Sequence, residues 1–235
     1  MRRRFPFGLT IVCVVAFGLL ISLGSWQVQR LQWKQGLIAR SEAAATLPPV
    51  SLGALSRLPD PEFRKAVLTC DFQNQPFVEL QSIHDGQAGV RLISACEGWL
   101  VDLGFVADTV SARPARQPAA IPAIVAEARR VEAPNRFAPP PEGKRFYARD
   151  TVAMSRALGM QGAVRPYVLF ATGSAWPQWQ AIEPSAPPAA FSNNHLGYAL
   201  TWFGLALAVI AFYIVLLRRR LRTGTPAKDT EESST

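Results

Sequence analysis

The sequence predicts a membrane protein of the α+β class, with two transmembrane helices flanking a β-rich mixed extracytoplasmic domain. Three observations predict it. Two long uncharged apolar runs lie near the two ends of the 235-residue chain. Arginines cluster outside both runs, toward the chain termini. Between the runs, short segments alternate apolar and polar residues and are separated by Gly, Pro and Asp-Gly turn signals.

The first run, Phe7 to Gly24, has 18 residues and no charge. As a helix it reaches roughly 27 Å, close to the ~30 Å of bilayer hydrocarbon. The second, Leu196 to Leu217, has 22 residues and no charge, enough to span with some tilt. A core helix of a soluble protein carries a polar face, and neither run has one. The first run exceeds the apolar core of a signal peptide, so it reads as an uncleaved anchor.

Arg2, Arg3 and Arg4 precede the first span; Arg218, Arg219, Arg220 and Arg222 follow the second. The positive-inside rule places both tails in the cytoplasm, against the weaker opposing signal of Arg30 and Lys34. The reading divides the chain into a cytoplasmic tail (1–6), a first span (7–24), an extracytoplasmic domain (25–195), a second span (196–217) and a second cytoplasmic tail (218–235). The start has no acidic-poor, Ser-rich leader, which favours a bacterial inner membrane with a periplasmic central domain.

The net charge of +8 invites an acidic partner, but its position argues otherwise. Eight of the 25 Lys and Arg lie in the tails; residues 25–195 carry 17 against 14 Asp and Glu. The basic balance belongs mainly to membrane flanks, so the expected partner is the lipid bilayer and not a nucleic acid.

The first helix continues beyond the membrane. Trp26, Arg30 and Trp33 recur at i, i+4 and i+7, and Gln27, Arg30 and Lys34 form an overlapping polar stripe. Interfacial anchoring accounts for Trp26. The helix is expected to end near Ala45, before the extended Leu47-Pro48-Pro49-Val50. Strands are expected over residues 63–72, 76–83, 90–96, 99–106, 124–131 and 164–171, with a turn at His84-Asp85-Gly86. Residues 109–122, 134–141 and 176–190 are Pro-rich connections. Thr151 to Leu158 reads as a short helix, with Asp150 as N-cap and Gly159 as its stop.

Chemistry-bearing residues are scarce. Cys13 lies in the first span, facing lipid or a helix. Cys70 and Cys96 lie on expected strands; an oxidising compartment lets them pair, but spacing does not decide between a bridge and two thiols. Two distant histidines and no Cys-x-x-Cys speak against zinc, copper and thiol-redox sites. Ser82, His84 and Asp85 surround a turn and do not form a triad. With no arranged nucleophile and no phosphate loop, the chain reads as a non-enzyme.

The most unusual segment is Ser192 to Phe203. Asn193 or Asn194 suits a helix cap. His195, Tyr198 or Ala199, and Trp202 line one stripe of the helix that follows. Two readings are open for His195: an interfacial histidine hydrogen-bonded to its own domain, or an axial ligand of a flat apolar haem. Gly204-xxx-Ala208 and Gly18-xxx-Ser22 are small-residue patches that allow close packing, of the spans together or of each on a partner.

Three segments resemble the Surfeit-locus protein 1 family, assembly factors of cytochrome c oxidase. Leu23-Gly24-Ser25-Trp26-Gln27 with Arg30-Leu31-Gln32-Trp33-Lys34 is similar to the family's opening motif. Asn194-His195-Leu196 with Tyr198-Ala199 and Thr201-Trp202-Phe203 is similar to its closing motif. Val101-Asp102-Leu103-Gly104-Phe105-Val106 stands where the family has a strand with Asn-Arg-Gly-Trp-Val; the Asn-Arg pair is absent and Phe105 replaces the Trp. Pro134-Asn135 and Arg145 through Asp150 resemble its later half. The resemblance spans the whole chain. It implies a role in inserting haem a into oxidase subunit I, with other oxidase assembly factors as partners. It points to His195 as the haem-iron ligand. Tyr198 and Trp202 would then line the haem face, with Trp26, Arg30 and Lys34 at its edge or propionates. The alternative is a membrane-anchored scaffold that binds oxidase subunits without binding haem.

Overall fold

The computed structural model describes residues 6–115, 123–187 and 194–222; the Asn193 reading and the arginines at 2–4 lie outside them. The chain divides into two units, Met1–Ile38 with Ala190–Thr235, and Ala39–Ala189. The elements in order are α1 (Phe7–Ala45), β1 (Val50–Ser51), α2 (Leu52–Leu55), β2 (Lys65–Leu68), β3 (Val78–His84), β4 (Gln87–Cys96), β5 (Trp99–Ala107), β6 (Ile124–Arg130), β7 (Arg145–Phe146), α3 (Thr151–Ala157), β8 (Tyr167–Ala171) and α4 (His195–Arg222).

In the helical unit the apolar side chains of α1 and α4 face outward. Only 6% of each apolar 18-residue window is buried, so neither helix is a soluble core helix. The protein is a membrane protein with two long apolar helices flanking a sheet. The positions of α1 that are at least partly buried include Thr10, Cys13, Phe17, Leu20, Gly24 and Gln27, at alternating spacings of three and four. Those of α4 include His195, Ala199, Trp202, Phe203, Ala206 and Tyr213. This is the seam of a left-handed antiparallel helix pair. Cys13 is thus half-buried on the seam.

The close approach is not at the small-residue patches expected from sequence. Gly18, Ser22, Gly204 and Ala208 are exposed. Gly24 takes that role: a Cβ there would lie 2.6 Å from the Phe203 ring. Ala199 and Ala206, four before and three after Phe203, are 2% and 1% exposed. Gly24→Leu is therefore expected to part the helices at a cost of about 1–3 kcal/mol. Detergent denaturation of the purified chain measures this. The milder Gly24→Ala should be rescued by Phe203→Ala, which removes the ring it strikes.

The sheet unit contains eight strands in the order β1-β2-β6-β8-β5-β4-β3-β7. β3-β4 and β4-β5 are antiparallel hairpins. Asp85 and Gly86, at φ 47° and 79°, form the first turn as the sequence expects, and Glu97-Gly98 form the second in the same left-handed conformation. β8 lies between β5, to which it is parallel, and β6, to which it is antiparallel. All five of its residues are buried, so both faces of the sheet centre are covered. One face carries Trp99, Val101, Leu103, Leu169 and Trp176. The other carries Leu100, Val168, Phe170 and, from α3, Met154. Asp150 caps α3 by accepting from the Val152 and Ala153 amides.

Strands are shorter than expected where backbone geometry intervenes. Phe63 has φ 64° and stays outside β2, which starts at Lys65. β1, α2 and β7 are too short to leave a periodic signal. Cys70 and Cys96 form a disulfide, their Cα atoms 5.7 Å apart. Of the two open sequence readings, the bridge is the one observed.

The segment Val101–Val106 contains a β-bulge. Leu92 pairs with Gly104 but Ile93 pairs with Asp102, so Leu103 is the extra residue. Gly104 has φ 137°, and a Cβ on it would meet the Glu183 backbone at 2.8 Å. The Asp102 carboxylate is fully buried. It accepts from Arg91 Nε at 2.7 Å, Arg149 Nη2 at 2.9 Å and the Gly104 amide at 3.2 Å. A second polar cluster joins β6, β8 and the chain before β2. Burial raises the Glu62 pKa, and the Glu62 amide, bonded to the Asp60 carboxylate, lowers that of Asp60. Tyr167, bonded to Asp60, is raised mainly by burial.

Candidate functional site

Three interhelical contacts set the register of the helical unit. Thr10 Oγ1 lies 2.9 Å from Tyr213 Oη. Gly24 receives the Phe203 ring. Gln27 Oε1 lies 2.6 Å from His195 Nδ1. From Thr10 to Gln27 is 17 residues, or roughly 25 Å of helix. The two polar contacts thus sit at opposite ends of a stretch about as thick as the bilayer hydrocarbon. Polar groups concentrate there because a hydrogen-bonding side chain is costly at mid-membrane and cheap at its boundary.

Around His195 the elements supply three kinds of group. α1 brings Gln27 to the imidazole. The charges of Lys34 and Arg30, on α1, lie close enough to act electrostatically on His195. Arg30 also stacks on Trp33, 3.9 Å from the ring centre. α4 brings Trp202, two turns along from His195 and half-buried. Its indole Nε1 is buried with no hydrogen-bond partner among the described residues.

The residues singled out by sequence divide in two. His195 and Trp202 sit half-buried on the seam. Tyr198 and Trp26 are more than half exposed, on surfaces that no other described helix covers. Ala199, not Tyr198, takes the seam position between His195 and Trp202. Gln27 is the residue that a reading of spacing passes over. Its signals in the sequence are membership of the polar stripe with Arg30 and Lys34 and a place in the opening motif, and neither names His195 as its partner.

These residues fit an apolar metal macrocycle. A neutral imidazole needs one nitrogen with a free lone pair, and His195 Nε2 makes no hydrogen bond among the described residues. Two cations beside the boundary suit carboxylate substituents.

The sequence matches the SURF1 family over residues 14–207. Among curated proteins it is 25% identical over 227 residues to the SURF1-like protein of Rickettsia felis, covering 88% of this chain and 96% of that one. It is 26% identical to the Surfeit locus protein 1 of Homo sapiens, covering 93% and 78%. It is 24% identical to the cytochrome oxidase assembly protein SHY1 of Saccharomyces cerevisiae, covering 97% and 80%. With a family match across both apolar helices and the sheet between them, this chain belongs to the SURF1 family.

Proposed function

We propose that this protein is a membrane-anchored assembly factor for cytochrome c oxidase that holds haem a for insertion into subunit I. The assembly role rests on the family and on the name of the yeast relative, which is that of an assembly protein and not of an enzyme. The haem role rests on one observation. An imidazole whose Nε2 has no hydrogen-bond partner among the described residues stands at the end of the helix pair, with the charges of Lys34 and Arg30 acting on it. His195 would hold haem a through that nitrogen, and the group would supply an iron that takes an imidazole as ligand. His195 offers the ligand atom; Trp202, Tyr198 and Trp26 offer apolar faces; Arg30 and Lys34 offer charge to carboxylates.

Both tails face the cytoplasm and the sheet unit faces the periplasm in this reading. Two independent features support it: the arginines outside both apolar runs, and the Cys70–Cys96 disulfide, a bond that persists in oxidising compartments. Other oxidase assembly factors are the further partners.

The test is purification from cells that make haem a, with haem identified by its absorption and subunit I by co-purification. Wild type is expected to carry haem a. His195→Ala is expected to lose most of it while still retaining subunit I. Equal haem in both proteins removes His195 as the ligand. Absence of haem from both, with subunit I retained, selects the scaffold reading.

A further inference from the structure

We propose that Gln27 is a positioning residue for His195, holding its imidazole in the tautomer and orientation that present Nε2 as a ligand. This rests on the haem reading above.

The chemistry follows from one contact. The Gln27 side-chain oxygen, 2.6 Å from His195 Nδ1, accepts and does not donate. A neutral imidazole facing it must therefore carry its proton on Nδ1, and the lone pair is left on Nε2. Free imidazole favours neither nitrogen strongly enough to guarantee this. The hydrogen bond also fixes the rotation of the ring about its side-chain bonds, which is what a ligand partner does in metal sites.

The fold makes the contact possible. Gln27 is one turn beyond Gly24 on the seam of α1, and Gly24 lets the Phe203 ring pack against the backbone. That close approach brings the two helices within reach of a side-chain hydrogen bond. Arg30 and Lys34, on the same stripe, can only donate, so neither can replace Gln27 as the acceptor. Among the described residues Gln27 Oε1 is the sole hydrogen-bond partner of the imidazole.

The experiment uses the full chain in detergent with a histidine-free tag, and compares wild type, Gln27→Leu, Gln27→Glu, Tyr213→Phe and His195→Ala. The first measurement needs no haem. The imidazole 15N resonances are recorded at about pH 8, above the ordinary histidine range. The chain has two histidines, so His84→Gln assigns the signals. Wild type and Gln27→Glu are expected to show Nδ1–H at His195, and Gln27→Leu a mixture with Nε2–H. The second measurement is titration with haem a, read by absorption. Gln27→Leu is expected to weaken binding roughly tenfold and to shift the spectrum of the imidazole-ligated haem toward that of free haem. Gln27→Glu is expected to restore both. Tyr213→Phe removes the other interhelical hydrogen bond and is expected to change neither, which separates positioning from mere stapling of the helices. If Gln27→Leu keeps the wild-type tautomer and affinity while His195→Ala loses haem, the role of Gln27 is overturned and the haem reading stands. If His195→Ala binds haem as wild type does, the haem reading fails, and the positioning role with it.

Discussion

Asp102→Leu is expected to destabilise the sheet unit by about 3–5 kcal/mol, the cost of stripping a buried ion cluster of its only carboxylate. Asp102 is fully buried, and its side chain accepts from two guanidiniums and one backbone amide. Arg91 is itself held in the interior, 7% exposed, and both arginines lie over the Phe170 ring. Without the carboxylate, two like charges face each other in a setting that screens them poorly. A domain of this size has about 5–15 kcal/mol in total. At roughly 2–4 °C per kcal/mol, the midpoint should fall by about 10 °C or more. Tryptophan fluorescence reports it, because Trp99 and Trp176 are buried in the same unit. Asp102→Asn should fall less, since it keeps the shape and one acceptor. The triple variant with Arg91→Met and Arg149→Met should be more stable than Asp102→Leu alone, since removing the whole cluster leaves no uncompensated charge. A midpoint for Asp102→Leu within about 1 °C of wild type would contradict the buried cluster.

Removal of the Cys70–Cys96 bridge comes next in size. The bridge joins residues 26 apart in sequence, the segment after β2 to the end of β4. Loop-closure entropy assigns such a cross-link roughly 3–4 kcal/mol, through restriction of the unfolded chain. Cys96 is also a core residue, 2% exposed and on the same face as Trp99. Paired Cys70→Ala and Cys96→Ala substitutions should therefore lower the midpoint by about 10 °C, and reductant should bring wild type to nearly the same value. Reductant should leave the paired variant unchanged. A wild-type midpoint that ignores reductant would mean that the bridge contributes nothing to stability.

The helix pair shows where sequence patterns stop. Hydropathy locates both spans because a run of 18 or more uncharged apolar residues has only lipid as a comfortable solvent. It cannot say which side of each span faces the other, because every side is apolar. Small-residue spacing chooses Gly18, Ser22, Gly204 and Ala208, yet the seam runs through Gly24, Ala199 and Ala206. Rotation about a helix axis is set by the sum of contacts along it. The same holds for the site. His195 and Trp202 are legible from their place at the start of the second span, but Gln27 is linked to His195 across 168 residues by helix register alone.

In the sheet unit, sequence by itself determined the local elements. Alternation marks β3 and the β4-β5 pair, Asp-Gly marks a hairpin turn, and Asp150 with Gly159 bounds α3. Each of these depends on neighbours within a few residues. Tertiary structure alone decided the strand order, which brings β8 between β5 and β6, and the partnership of Cys70 with Cys96. It also decided the burial of Asp102, which no local pattern marks as interior. A bulge at Leu103 and two arginines, 11 residues before it and 47 after, make it an interior group. The physical reason is common to all of them. Local patterns record which face of a segment avoids water, whereas partners are chosen by long-range packing that no single segment encodes.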